Sequence, residues 1–345
     1  MKKLILSLSL FAGISSAIAQ EDIKLPEASQ EASLSQRIGL TDIKVSYHSP
    51  LVRGRKIWGE LVPYGEVWRA GANENTTISF STDVSLEGKK LPAGIYGVHM
   101  IPTAGDWTII ISKNYYSWGS FFYKQEQDAM RFTVKPQETP MQEWMSYTFD
   151  DLQKNAAVLS LRWEKLRIPI KVTVDVTQTV VEDIRRQLDN IPGFFPDAYY
   201  TAAAYCYRNN VNQAEAAKWL DRSIRDKPTF ANLKLKSEQL EKEGKKAEAD
   251  ALVKKALTLA DENGLNTYGY ALLGEGKKQE ALDIFRQNAK KYPDSWNVYD
   301  SLAETLELMG NKKEALANYQ LARKKAPEAQ HARLDSTIAR LQGKS

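Results

Sequence analysis

The sequence predicts an α+β protein of two domains, an N-terminal antiparallel β-sandwich or barrel followed by an all-α solenoid. Three observations predict it. Apolar and polar residues alternate with period two through much of residues 33–176. After Thr177 the apolar period becomes helical and stays so to the end of the chain. Within that second half, a short pattern built on Gly or Asn, Lys and Ala recurs at spacings of 32 to 34 residues.

The first residues predict export. Lys2 and Lys3 make a positive start, residues 4–18 are mostly apolar, and Ala17-Ile18-Ala19 has the small-x-small form of a signal-peptidase site. The expectation is a signal peptide over residues 1–19, cleaved after Ala19, and a periplasmic or secreted protein. A retained anchor is the alternative, but the apolar run falls short of the ~20 residues that span a bilayer. The residue after the cleavage point is Gln20, not a cysteine that could accept a lipid, and no later stretch reads as an integral membrane segment. Residues 20–32 are polar and aperiodic and read as a flexible lead-in.

Strands are expected next. Ile43-Lys44-Val45-Ser46-Tyr47 and Thr76-Thr77-Ile78-Ser79-Phe80 alternate, and turn residues at Glu87-Gly88-Lys89, Pro92-Ala93-Gly94, Thr103-Ala104-Gly105-Asp106 and Lys135-Pro136 bracket further strands over 94–101, 107–112 and 129–134. Strands over 144–149, 157–163 and 168–176 complete about eight or nine short ones, the signature of an antiparallel sandwich or barrel spanning residues 33–176.

Residues 177–196 read as a linker and first helix, and 197–329 as the repeats. The recurring alanines Ala216, Ala249, Ala281 and Ala315 are 33, 32 and 34 residues apart. Around them stand Gly244, Gly276 and Gly310 at turns, Tyr319 and Phe285 as large residues beside the alanines, and Pro228, Pro293 and Pro327 as helix stops. This pattern resembles the tetratricopeptide repeat, whose two-helix units stack into a superhelix with a concave face for a protein or peptide. The second unit departs from it, lacking the closing proline and slipping in phase. Residues 330–345 are expected to supply a capping helix and tail.

Composition narrows the function. At 43% hydrophobic and 26% charged residues the chain is an ordinary globular protein. Its net charge of +4 falls to +2 without Lys2 and Lys3, and neither half holds the basic excess that nucleic acid requires. The single cysteine, Cys206, forms no intrachain disulfide and reads as a small buried apolar residue. The three histidines, His48, His99 and His331, are too scattered to predict a metal site. No nucleophile elbow or phosphate-binding loop is present, so no catalytic residue and no cofactor is assigned; Gly274-Glu275-Gly276-Lys277-Lys278 reads as a repeat turn.

The most informative stretch is residues 53–76, too irregular for a strand or helix and rich in aromatic and charged side chains. Candidate ligand-binding residues are Arg55, Lys56, Trp58, Tyr64, Trp68, Arg69, Asn73 and Glu74, with His99 from a neighbouring strand. Flat aromatic faces beside fixed polar groups suit a glycan or a peptide. Equally open is a structural role, with Trp58 and Trp68 plugging the end of the sandwich and Arg69 pairing with Glu74. Residues 33–171 also resemble the exported family known as domain of unknown function 2911. The resemblance rests on Ser35-Gln36-Arg37-Ile38-Gly39, Gly54-Arg55-Lys56-Ile57-Trp58-Gly59, the run from Leu61-Val62-Pro63-Tyr64-Gly65 through Trp68-Arg69-Ala70-Gly71-Ala72-Asn73-Glu74, and Leu91-Pro92-Ala93-Gly94-Ile95-Tyr96. It implies an exported domain and no reaction. The reading that follows is an envelope binding or scaffold protein. The alternatives are an envelope hydrolase acting on glycan or peptide, with Arg69, Asn73, Glu74 and His99 around its substrate, and a sheet that merely packs and binds nothing.

Overall fold

The computed structural model describes residues 25–343. The predicted leader therefore lies outside the described residues. The chain divides into two compact units between Thr179 and Val180.

Among the described residues the first unit holds ten strands: β1 Gln30–Ile38, β2 Thr41–Ser49, β3 Thr77–Phe80, β4 Val84–Leu86, β5 Lys89–Leu91, β6 Gly94–Ile101, β7 Trp107–Ser112, β8 Asp128–Val134, β9 Gln137–Asp150 and β10 Ala156–Thr173. They form a six-stranded sheet in the order β1-β2-β3-β6-β7-β8 and a four-stranded sheet in the order β5-β4-β10-β9. All the pairings are antiparallel. Alternation explains the faces: Ile43, Val45 and Tyr47 of β2 are buried while Asp42 and Lys44, which alternate with them, are exposed. The buried faces of both sheets feed one core, with Ile78, Met100, Ile109 and Phe132 from the larger sheet and Leu86, Leu159, Leu161 and Ile170 from the smaller. Neither sheet closes on itself.

Three strand expectations are corrected. The stretches read as separate strands over 157–163 and 168–176 are one strand of 18 residues, so the strands are neither all short nor eight or nine in number. Two register shifts, between Arg162 and Glu164 and between Glu164 and Leu166, interrupt the alternation in the middle of β10, which is why its period breaks in the sequence while its pairing with β9 continues. The hairpin of β4 and β5 flanks the Glu87-Gly88 turn and is too short to show a period. Strand β1 begins at Gln30, inside the segment read as lead-in, and Val176 opens a helix instead of ending a strand.

After α1 Val176–Leu188, the second unit is a row of antiparallel helical hairpins: α2 Pro196–Arg208 with α3 Gln213–Asp226, α4 Phe230–Lys242 with α5 Lys246–Leu259, α6 Glu262–Gly274 with α7 Lys278–Lys291, and α8 Trp296–Leu308 with α9 Lys312–Lys325. Helix α10 Glu328–Leu341 follows, forming a tetratricopeptide-like solenoid with a final single helix. The repeating alanines Ala216, Ala249, Ala281 and Ala315 are all buried. Gly244, Gly276 and Gly310 turn the later hairpins with φ of 78°, 77° and 81°; in the first hairpin Asn210 takes that conformation at 53°. No helix among the described residues is long and apolar enough to cross a membrane.

Candidate functional site

Between β2 and β3 the chain runs through residues 50–76 without forming a named strand or helix, and the sheets fix its course. The Val52 amide donates to the Glu143 carbonyl at 2.9 Å, and Trp68 exchanges both backbone hydrogen bonds with Met100 at 2.8 Å each. Ala70 adopts a φ of 51°, a region sparsely populated by residues with a Cβ. Its carbonyl holds it there by accepting from the hydroxyls of Thr76 and Tyr147, both at 3.0 Å. Burial drives the Tyr147 phenol far above its ordinary pKa, which keeps it a donor. At Gly71 a Cβ would come within 2.6 Å of the Thr76 hydroxyl, so this turn requires glycine.

Inside the loop is a nest of tryptophans. Trp58 meets Trp107, Trp163 and Trp68 edge to face at 4.7, 5.6 and 5.7 Å, and Trp68 stacks on Trp163 at 5.9 Å. Trp58 is a core residue, and its indole nitrogen has no hydrogen-bond partner among the described residues. Trp68 is half-buried and donates from Nε1 to the Gly71 carbonyl at 3.1 Å.

Against this nest lies a cavity of about 340 Å³, within the range of small-ligand sites. It brings together four of the expected residues, Arg55, Trp68, Arg69 and Asn73, and adds Arg53 and Trp163. Arg55 is held by the loop itself, donating to the carbonyls of Val52 at 3.0 Å and Leu51 at 2.6 Å. Arg69 is half-buried, its Nε is buried without a partner, and no side-chain ion pair reaches it among the described residues. Burial pulls its guanidinium below the ordinary arginine value, with Glu74 opposing. Asn73 donates to Glu27 at 2.6 Å from a left-handed backbone of φ 52°.

The other five expected residues lie elsewhere. Lys56 is exposed and pairs with Glu60 at 3.1 Å. Tyr64 is exposed and packs over Gly59. Glu74 faces a second cavity of about 930 Å³, where it and Glu27 flank His48 at 3.3 and 3.2 Å. The Arg69–Glu74 ion pair is not formed; Glu74 goes to His48 instead. His99 is buried on β6, with Nδ1 2.9 Å from the Ser120 hydroxyl. Burial lowers its pKa to about 4, Asp128 opposing, so it is neutral near pH 7. The four residues of the hydrolase alternative thus do not share one cavity. Among the described residues no group of three or more His, Cys, Asp and Glu is arranged to hold a metal ion.

Three contributors escaped the sequence reading. Trp163 arrives from β10 and Glu27 from the segment before β1, and neither proximity leaves a sequence signal. His48 alternates with core residues on β2, and only the fold brings two carboxylates to it.

A family model described as a protein of unknown function, DUF2911, matches residues 29–172. The β unit is similar to DUF2911. The match ends within β10, so the DUF2911-like region contains the three arginines of the cavity and excludes the helical array. No curated protein matches the chain. Among solved structures, the chain is similar to PilF of Pseudomonas aeruginosa, with 19% identity over 43% of this chain and 68% of that one and a TM-score of 0.31. It is similar to PilW, a type IV pilus biogenesis factor, with 18% identity over 49% and 80% and a TM-score of 0.33. YrrB, a TPR protein with an unusual peptide-binding site, shares 18% identity over 47% and 84% with a TM-score of 0.30.

Proposed function

We propose that this chain is an exported binding or scaffold protein of the cell envelope, periplasmic or secreted, with two recognition surfaces. The leader carries the location. In the helical unit, first helices of successive hairpins form a cleft of about 250 Å³ lined by Tyr200, Tyr207 and Arg208 of α2 and Leu235, Glu238 and Lys242 of α4. Stacked repeats present such surfaces to a protein or peptide segment.

In the DUF2911-like unit the cavity takes the acidic group of a glycan or peptide. One observation carries this reading: among the described residues three arginines, Arg53, Arg55 and Arg69, line the cavity and no aspartate or glutamate does. Charge of one sign in a partly buried site is costly until an opposite charge enters, and a guanidinium fork grips a carboxylate bidentately. The half-buried Trp68 offers an apolar wall beside it. With no carboxylate on the wall to act as acid or base, the geometry favours binding over hydrolysis.

The test is titration calorimetry of the mature protein with acidic oligosaccharides and acidic peptides, each beside its methyl ester or amide. Acidic members bind and neutralised ones do not, and Arg69→Ala weakens binding by about 2 kcal/mol, roughly 30-fold. Equal binding of neutral and acidic members, or an unchanged affinity in a folded Arg69→Ala protein, contradicts the reading.

A further inference from the structure

Between β7 and β8 the sequence Asn114-Tyr115-Tyr116-Ser117-Trp118-Gly119-Ser120-Phe121-Phe122-Tyr123 holds ten residues without a charge, bounded by Lys113 and Lys124. Its side chains are sorted against the usual rule for a surface loop. The polar ones turn into the protein. Ser117 donates to Asn114 at 2.7 Å, and Asn114 donates to Gln127 at 3.2 Å. Ser120 meets His99 at 2.9 Å, and the Tyr123 hydroxyl bonds Asp128 at 3.0 Å and Arg131. The apolar ones stand outside: Tyr116 is 77% exposed, Trp118 53%, Phe121 75% and Phe122 62%. Trp118 and Phe121 stack in parallel at 5.7 Å.

Single exposed apolar residues are common, whereas a contiguous exposed aromatic group held in place by polar anchors marks an interaction surface. We infer that this loop is a membrane-interface anchor, inserting its aromatic tip into the headgroup region of a bilayer that contains anionic lipid. Three features select a bilayer over a folded partner. Neither β-unit cavity described above includes a residue of the loop, so the aromatics stand apart from both of those sites. Trp, Tyr and Phe without intervening charge are the residues that settle at the water–lipid boundary. The two exposed lysines at its base stand where lipid phosphates lie when the tip is inserted, and the nearest acidic residues along the chain are Asp106 before it and Glu126 after it. The anchoring is peripheral and needs no membrane-spanning helix.

Sedimentation with vesicles tests it on the mature full-length protein. The wild type pellets with vesicles of equal parts phosphatidylcholine and phosphatidylglycerol, and less with phosphatidylcholine alone. Phe121→Ser/Phe122→Ser binds roughly a hundredfold more weakly, ~10-fold for each phenylalanine withdrawn. Lys113→Gln/Lys124→Gln keeps the binding to phosphatidylcholine and loses several-fold of the preference for the anionic mixture. Arg55→Ala, in the cavity and held by the Val52 and Leu51 carbonyls, leaves vesicle binding unchanged. The proposal is overturned if the wild type stays in the supernatant with both vesicles, or if the serine variant, folded by circular dichroism, pellets like the wild type. It is also overturned if sedimentation velocity without lipid shows a dimer that the serine variant abolishes, since the surface then covers a second copy.

Discussion

Trp163 and Phe285 are both fully buried aromatic side chains, at 1% and 0% exposure, and their surroundings differ in kind. Trp163 packs on Trp58 and Trp68, which come from a loop about a hundred residues earlier in the chain. Phe285 packs on Gly269 and Tyr270, which belong to the other helix of its own hairpin. The β unit is thus closed by distant segments meeting in one core, and the helical unit by neighbours in sequence. A core of distant segments can fix a cavity wall to which three stretches of chain contribute: residues 28–29, the 50–76 loop and β10. A stack of local hairpins offers a repeating surface whose parts fail one at a time.

The largest test of this contrast is Phe285→Ala, expected to cost about 3–5 kcal/mol. The loss should be confined to the helices from α6 to α10, because their core holds Leu265, Leu272, Ala281, Val298, Ala303 and Leu334, while α1 to α3 share a separate cluster around Val181, Ala203, Cys206 and Leu220. Limited proteolysis should therefore cut the variant within residues 262–341 and spare the α2–α3 hairpin. Uniform cutting along the array would show that the two clusters act as one.

A smaller effect sharpens the β side. His99 has a folded pKa of about 4, below its unfolded value of about 6.5, so the unfolded chain binds the proton first as pH falls. Its contribution is complete above pH 6.5 and is lost as pH drops toward 4, on the order of 3 kcal/mol in all. Urea unfolding followed by tryptophan fluorescence should show the β unit weakening between pH 7 and pH 4.5, and His99→Gln should flatten that segment of the profile. A wild-type profile already flat there would mean that protonated His99 finds compensation in the fold, with Asp128 the nearest candidate.

The same contrast explains what was legible in the sequence. The helical repeats were readable because each alanine, turn glycine and stop proline acts within its own hairpin: Ala281 and Gly276 do locally what Ala315 and Gly310 do one unit later. Strand β2 was readable from its own alternation, and β6 and β7 from the turn residues that bracket them. Strand β10 was not, since its register shifts hide the alternation and only pairing with β9 carries it through. In the candidate site, Arg55, Trp68, Arg69 and Asn73 lie on one stretch of chain, and the sequence pointed to that stretch. Trp163 reaches the same cavity through sheet topology, and the exchange of Arg69 for His48 as the partner of Glu74 depends on distances no local pattern encodes.

The central claim is that the two units have separate cores and that the tryptophan nest belongs wholly to the first. Amide hydrogen exchange by mass spectrometry on full-length Trp163→Ala, against wild type, tests it most directly. The expected result is lost protection in strands throughout residues 30–173, the cavity loop at 50–76 included, with helices α2 to α10 exchanging as in the wild type. Loss of protection spread equally into those helices would contradict it.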